Sequence, residues 1–218
     1  YAQNGRDAEA KVSDFLSTIN SISIFIDDDI VNLEPVCIIN GEEKLVYLSP
    51  REVVNKDNSY INSTYQYTHG YGVIATSASS TNSIGNLENY QKGFKDTDLK
   101  ISEPRIYFGK ETNGTIVTNS EGKVEFDYPI SEGKSETNKY DGKAGLKLGF
   151  IDRMIISISQ GDTKLAFSSN VTSESKILLN RNIIKRAKNI MPYLIYDENP
   201  YLVITNEGKL VWVLDGYT

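Results

Sequence analysis

The spacing of apolar residues predicts three helices. From Asp7 to Asn20, apolar side chains recur three or four positions apart on an otherwise polar segment, which is the period of one helix face. A second helix is predicted at about 144–158, where the apolar arc is wide enough that we expect burial on most sides. A third is predicted at 173–191, capped by Thr172 or Ser173 and stopped by Pro192.

Strand patterns occupy much of the remaining chain. Val36–Ile39 and Lys44–Leu48 flank Asn40-Gly41, a dipeptide that favours a type I′ hairpin turn. The stretch from Tyr65 to Ala75 predicts a core strand with a kink at its glycines. The polar stretch from Ser77 to Asp98 predicts a long loop. Further strands are predicted at 105–109, 115–118, 124–128, 193–196, 201–205 and 210–214.

The order of these elements indicates the fold class. Strands and helices neither alternate strictly nor separate into two halves, so we predict an α+β fold, with a mostly antiparallel sheet and two or three packed helices. A chain of 218 residues is long enough for a sizeable core. We therefore expect 1–218 to form a single soluble domain.

Composition narrows the classes of partner. The net charge of −6 argues against nucleic acid as the main partner, because neutralising phosphates requires a surplus of Lys and Arg. Cys37 lies in an apolar run, which predicts a buried, inert thiol. No apolar run reaches the ~18 residues of a membrane span, and no signal peptide opens the chain. Since the sequence starts at Tyr1 rather than Met, we expect it to be a piece cut from a longer protein.

His69, the only histidine, is the natural catalytic candidate. A general base needs an orienting partner, and Asp127, Asp215 or Glu103 could supply one. The other interpretation is a structural histidine, hydrogen-bonded within a tight turn. One histidine and one cysteine do not build a usual zinc site, and no phosphate loop, nucleophile elbow or zinc-protease helix occurs. We predict neither a metal nor a cofactor.

Other side chains offer binding chemistry. Arg105 could hold a carboxylate or phosphate of a ligand in a bidentate clamp, or it could pair with a nearby aspartate of the chain itself. Aromatic residues in strands are usually core residues, but several tyrosines could instead line a face that binds sugar. They are Tyr67, Tyr71, Tyr107, Tyr128 and Tyr140.

Several strings resemble motifs of the UPF0182 family. The string 67–73, Tyr-Thr-His-Gly-Tyr-Gly-Val, resembles one family signature, and the closing 212–218 resembles the family's end motif. The latter departs mildly, because Gly216 stands where the family usually has alanine. Other matching strings lie at 104–109, 125–129, 140–143, 174–178, 181–183 and 197–201. The matches run in order from about Val36 to Thr218, and residues 1–35 match less clearly.

This resemblance implies a location rather than an activity. Family members have several membrane-spanning helices ahead of a large extracytoplasmic region. By resemblance, this chain would be a piece of that region, at the plasma membrane on its extracellular side, with the protein's own membrane segments as partners. The resemblance implies no activity, cofactor or catalytic residue.

Two functions follow as hypotheses. The first is a non-enzymatic extracytoplasmic module that binds a partner or an envelope component. The alternative is a hydrolase acting on envelope material, with His69 as base and Arg105 as anion clamp. A pocket that holds both residues and an acid within hydrogen-bond reach would favour the hydrolase. A buried His69 bonded to backbone would favour the module.

Charge is unevenly distributed along the chain. Residues 143–192 hold nine Lys and Arg against three Asp and Glu, although the whole chain is acidic. One interpretation is that this basic region docks on the acidic remainder. Another is that Arg181, Lys185 and Lys188, opposite the apolar side of the third predicted helix, face outward and contact anionic lipid headgroups.

Overall fold

A computed structural model describes residues 34–54, 58–81, 83–90, 94, 98–131, 134–147 and 149–218. The helix predicted at 7–20, and the rest of 1–33, lie outside the described residues. The strands are β1 Glu34–Ile39, β2 Glu42–Pro50, β3 Gly70–Tyr71, β4 Val73–Thr81, β5 Leu87–Asn89, β6 Arg105–Ile106, β7 Ile116–Thr118, β8 Glu125–Ser131, β9 Lys134–Asn138, β10 Lys176–Leu178, β11 Ile195–Tyr196, β12 Tyr201–Ile204, β13 Leu210–Val213 and β14 Gly216–Tyr217. The helices are a π-helical turn Asn62–Gln66, α1 Phe150–Gln160, α2 Thr163–Ala166 and α3 Ile183–Ile190.

The α+β class is confirmed. Within the described ranges, all strand pairs are antiparallel. The chain divides into two compact units, each built from separated segments. The described residues within 1–51, 72–104 and 201–213 form unit 1, and those within 52–71, 105–200 and 214–218 form unit 2. The expectation of a single domain stays a prediction.

Unit 1 is built on a sheet in the order β1-β2-β4-β5. The predicted hairpin is confirmed: Asn40 and Gly41 both have positive φ, and Ile39 pairs with Glu42 directly across the turn. The hairpin β12-β13 belongs to the same unit. The unit's core contains Cys37, whose thiol is buried as predicted. Its other buried members are Ile39, Val46, Val73, Ala75, Tyr90, Leu99 and Leu202.

Unit 2 combines short strand pairs with the helices. The pairs are β3-β6, β7-β10, β8-β9 and β11-β14. Two clusters of buried side chains form its core. The first contains Tyr65, Val117, Leu165 and Ile177, and the second contains Tyr107, Ile116, Tyr140 and Leu178.

The predicted bounds of the two late helices are wrong. The helix predicted at 144–158 is α1, which begins only at Phe150 after Gly145 takes a positive φ of 98° and Leu146 bridges to Ile177. It is also not buried on most sides, because Ile151 and Ile158 are each 73% exposed. The range 173–191 is predicted as one helix. It instead contains the strand β10, and only its later part, α3, is helical.

The central stretch also differs from its prediction. Tyr65 lies in the π-helical turn rather than in a strand, and the strands begin at Gly70. The predicted kink is present, since Gly72 has a φ of 71° between β3 and β4. The expected long loop from Ser77 is wrong as well, because β4 continues to Thr81 and β5 follows it.

Candidate functional site

The backbone of unit 2 brings His69 beside two carboxylates of β8. Thr68 and His69 directly precede β3, and Glu125 and Asp127 lie two positions apart on β8. Side chains at positions i and i+2 of a strand point to the same side. This alternation lets both carboxylates reach the Thr68-His69 dipeptide.

Four side chains form a continuous hydrogen-bonded chain. The hydroxyl of Thr68 donates to Oε2 of Glu125 over 2.9 Å, and its Oγ1 lies 2.9 Å from Nδ1 of His69. Nε2 of His69 lies 2.7 Å from Oδ1 of Asp127. Asp127 therefore orients the ring, which was one of the options in the sequence. The hydrogen bonds therefore connect Glu125 to Thr68, Thr68 to His69, and His69 to Asp127.

The single hydrogen of the Thr68 hydroxyl decides which atom donates in its contact with His69. A hydroxyl has one hydrogen, and that of Thr68 is used on Glu125. The contact with Nδ1 must then be an N–H of His69 donating to Thr68. At the other ring nitrogen, Nε2 lies within hydrogen-bonding distance of Oδ1 of Asp127, and the tautomer of the ring decides which atom donates.

Glu125 is buried at the other end of this hydrogen-bonded network. Burial raises the pKa of Glu125, while the N–H of Asn119, the Thr68 hydroxyl, the charge of His69 and the Tyr107 hydroxyl partly oppose that effect.

Aromatic rings close the surroundings of His69. The ring of Tyr107 lies 4.6 Å from that of His69 and 4.7 Å from that of Tyr140. Burial raises the pKa of Tyr107, so its hydroxyl remains protonated at neutral pH. Tyr107 and Tyr140 are buried and line the interior.

The other tyrosines of the proposed sugar-binding face stack on β8. Tyr67 is 39% exposed and packs against Phe126, with ring centroids 5.5 Å apart. Tyr71 packs against Tyr128 at 4.7 Å, and Tyr128 is itself buried. The five tyrosines thus do not form one open platform, since Tyr107, Tyr128 and Tyr140 are buried.

Arg181 is placed differently from its prediction. We expected it on the outer face of a helix, but it precedes α3 and is 1% exposed. Its Nε donates to the carbonyl of Tyr107 over 2.8 Å, and its Nη2 donates to the carbonyl of Thr68 over 2.5 Å. Burial lowers its pKa to about 10, so the guanidinium stays charged at neutral pH. Arg181 cross-links the segments that carry Thr68 and Tyr107.

Arg105 and Asp215 lie outside this hydrogen-bonded chain. Nη1 of Arg105 donates to Oδ1 of Asn138 over 2.5 Å, and its Nη2 lies 3.5 Å from Oδ1 of Asp141. Arg105 thus lies beside an aspartate of the chain itself, as one of its two interpretations in the sequence described. Asp215 is exposed, and its carbonyl accepts the N–H of Asp197.

The geometry limits what His69 can do. Its side chain has no exposed surface, and both ring nitrogens are engaged by side chains. The expected burial is present, although its partners are side chains rather than backbone. Among the residues that the structure describes, no three His, Cys, Asp or Glu side chains could jointly hold a metal ion. The arrangement fastens the start of β3 to β8 and leaves no ring nitrogen free for a substrate.

Sequence reasoning missed three residues that organise unit 2: Glu52, Thr68 and Glu125. The carboxylate of Glu52 accepts the N–H groups of Lys110, Glu111 and Thr112 and also the hydroxyl of Thr112. For Glu125, the sequence contained a signal: it lies two positions before Asp127 in a predicted strand, so both side chains share one side. For Glu52 no local pattern exists, because its partners lie 58–60 positions away.

Comparison with known proteins identifies the family. The model of an uncharacterised protein family, UPF0182, matches residues 37–218. This chain belongs to the UPF0182 family. UPF0182 proteins of Clostridium novyi (strain NT) and Alkaliphilus metalliredigens (strain QYMF) are each 42% identical to it over 188 residues. One from Clostridium botulinum (strain Hall) is 40% identical over 186 residues.

The match covers most of this chain but little of its relatives. It spans 83% of the chain and only 20% of each of these three proteins, so the match concerns one part of those relatives. No solved structure matches the chain. Within the described ranges, no helix combines the length and the apolar character that crossing a membrane requires.

Proposed function

We propose that this chain is an extracytoplasmic module of a bacterial membrane protein and that it binds anionic lipid at the membrane surface. The observation that carries the proposal is the surface around α3. Lys185 and Lys188 are exposed on this helix, and exposed apolar side chains follow at its end. Ile190 is 65%, Met191 43% and Tyr193 72% exposed.

The charge of this segment is of one sign. No Asp or Glu occurs from Ser175 to Tyr196. Lys185 and Lys188 are exposed, whereas the apolar residues Ile183, Ile184 and Ala187 of the same helix are half-buried. Lys185 and Lys188 therefore still fit the hypothesis of a contact with anionic lipid headgroups. Arg181 does not, because it is buried.

The combination of side chains suits a membrane surface. Lysines attract anionic headgroups, each contributing about 1 kcal/mol near the surface, and the attraction fades over roughly 8 Å at physiological salt. Tyrosine and aliphatic side chains favour the boundary between headgroups and acyl chains. Two lysines give a weak contact for a free domain, but a sufficient one to orient a domain that its own polypeptide already tethers.

The hydrolase alternative has no comparable support. Its proposed base, His69, has both ring nitrogens engaged and no exposed side-chain surface. Its proposed anion clamp, Arg105, is engaged by Asn138 and Asp141. A binding module therefore accounts better for these side chains.

Vesicle flotation at low salt tests the lipid contact. The chain should bind phosphatidylglycerol-containing vesicles several-fold better than neutral phosphatidylcholine vesicles. The double substitution Lys185→Gln and Lys188→Gln should remove most of that preference, and Tyr193→Ser should weaken binding further. The matched control is Lys147→Gln with Lys209→Gln, which changes the net charge equally at lysines already paired with Glu174 and Glu207. Equal binding to both vesicles, or equal losses in the two double variants, would contradict the proposal.

A further inference from the structure

Helix α1 displays its apolar side chains to solvent. Ile151, Ile155 and Ile158 are 73%, 61% and 73% exposed, and Phe150 at the start of the helix is 58% exposed. Residues four and three positions apart lie on the same side of a helix, so the three isoleucines form one row. We call these three isoleucines the isoleucine stripe. Contiguous apolar surface of this kind marks an interaction site.

Polar contacts hold the helix in this orientation. Ser157, fully buried on the inner side of α1, donates to the carbonyl of Arg153 over 2.7 Å. Nη1 of Arg153 donates to the carbonyls of Ser168 and Val171, each over 3.1 Å. Beyond the helix, Gly161 has a φ of 67° and bonds back to the carbonyl of Ile158. The bonds of Arg153 to Ser168 and Val171 therefore hold α1 with Arg153 and Ser157 on its inner side and the stripe outside.

We propose that the isoleucine stripe docks against an apolar surface in the remainder of the same, longer polypeptide. The chain spans only 20% of its relatives, so the larger part of such a protein lies outside it. Tethering raises the effective concentration of one part of a polypeptide around another to the millimolar range. A small stripe then suffices for a stable contact.

The size of the stripe does not suit a second copy of the chain. A specific dimer uses about 20–30 residues on each side, whereas the stripe offers three. Without a tether, so few side chains do not offset the loss of translational and rotational freedom on association.

The charges around the stripe do not suit a lipid surface either. Helices that lie in a membrane interface carry Lys and Arg along their polar face. The only cation of α1, Arg153, is turned inward, and its first turn carries Asp152. Lys147, ahead of the helix, pairs with Glu174 at 3.6 Å. The stripe thus differs in character from the lysine surface of α3, and its docking does not depend on lipid contact.

Cysteine labelling compares the stripe in the full-length protein and in this chain alone. Ile155→Cys places a thiol in the stripe, and Gln160→Cys places one at an exposed position on another side of α1. The natural Cys37 is buried, so it gives little background. Labelling by a maleimide that does not cross membranes is measured in vesicles and in detergent, relative to the unsubstituted protein.

We expect both thiols to label rapidly in the chain alone. In the full-length protein, Ile155→Cys should label at least tenfold more slowly, in vesicles and in detergent alike, while Gln160→Cys stays fast. Equal labelling of Ile155→Cys in both proteins would overturn the proposal. Protection that disappears in detergent would assign the stripe to lipid, and protection in the chain alone that grows with concentration would assign it to a second copy. Both results would also overturn it.

Discussion

At the scale of single residues, the chain of Glu125, Thr68, His69 and Asp127 should contribute measurably to stability. His69→Ala removes the ring that contacts both Thr68 and Asp127. Leaving buried hydrogen-bonding groups without their partner costs about 1–3 kcal/mol. We expect the free energy of unfolding, measured with urea, to fall by about that amount.

The control for this substitution is Ile130→Ala on the same strand as Asp127. Ile130 is 61% exposed, so its truncation should change stability by no more than about 0.5 kcal/mol. An unfolding midpoint of His69→Ala equal to that of the unsubstituted chain would show that the hydrogen-bonded chain contributes nothing.

A second residue-scale prediction concerns the pH dependence of stability. Burial raises the pKa of Glu125 above its ordinary value of 4.5. Above that ordinary value, the unfolded chain releases the proton more readily than the folded one, so stability is lost as pH rises through the folded pKa. Relative to Glu125→Gln, the natural chain should therefore become less stable as pH increases from 4.5.

Urea unfolding of both proteins between pH 4.5 and 8 measures this difference. The matched control is Glu136→Gln, an exposed glutamate on β9, which should show no such trend. If the unsubstituted chain instead gained stability over Glu125→Gln as pH rises, the prediction would be wrong. Hydrogen bonds, rather than burial, would then have the larger effect on the pKa of Glu125.

Individual residues were predictable where a local signal existed. The lone histidine and the motif around it led to His69, and Asp127 was among its expected partners. The burial of Arg181 was not predictable, because the carbonyls that it binds belong to Thr68 and Tyr107, far away in the sequence. Its charge alone suggested an outward position, since arginine is seldom fully buried.

At the scale of elements, the sequence predicted strands and turns better than helix bounds. Asn40-Gly41 fixes its hairpin locally, because both residues accept the positive φ values of a type I′ turn. The helical spacing of apolar residues in 173–191 led to a wrong prediction of one long helix, because Ile177 is buried through its pairing with Val117 in β7. Asn180 with its φ of 51° and the N-cap Asn182 then delay α3 to Ile183. Tertiary pairing decided between two patterns that the local sequence allowed.

Glu52 provides an element-scale prediction. Its carboxylate accepts three backbone N–H groups from residues 110–112. Glu52→Gln replaces one acceptor oxygen by an amide donor that faces other donors, which costs about 1–3 kcal/mol. We expect hydrogen exchange at the amides of 110–112 to accelerate by roughly tenfold or more. Glu111→Gln, at an exposed position of the same loop, serves as control, and equal acceleration in both would show that Glu52 does not hold the loop.

At the scale of the whole molecule, the interleaving of the two units was not visible in the sequence. The chain passes between them at 51/52, 71/72, 104/105, 200/201 and 213/214. None of these points shows a shift in composition of the kind that marks a linker, because each lies within or beside a strand pattern. The α+β class was predictable from the element types alone, whereas the division required long-range pairing such as that of β2 with β4.

This interleaving predicts that the two units unfold together. If unit 2 unfolded alone, residues 52–71 and 105–200 would become flexible loops within unit 1. Closing loops of these lengths costs on the order of 3–5 kcal/mol each, which is comparable to the whole stability of a small domain. Unit 1 should therefore not survive the loss of unit 2.

Native-state hydrogen exchange of the His69→Ala variant measures this coupling. The substitution lies in unit 2, and the amides between β2 and β4 lie in unit 1. If unfolding is cooperative, the protection of those amides falls by the same free energy as the protection of the amides between β7 and β10 in unit 2. Calorimetry of the natural chain should correspondingly show one transition. Two separate transitions, or unchanged protection between β2 and β4 in the variant, would mean that unit 1 stays folded when unit 2 unfolds, and would contradict the prediction.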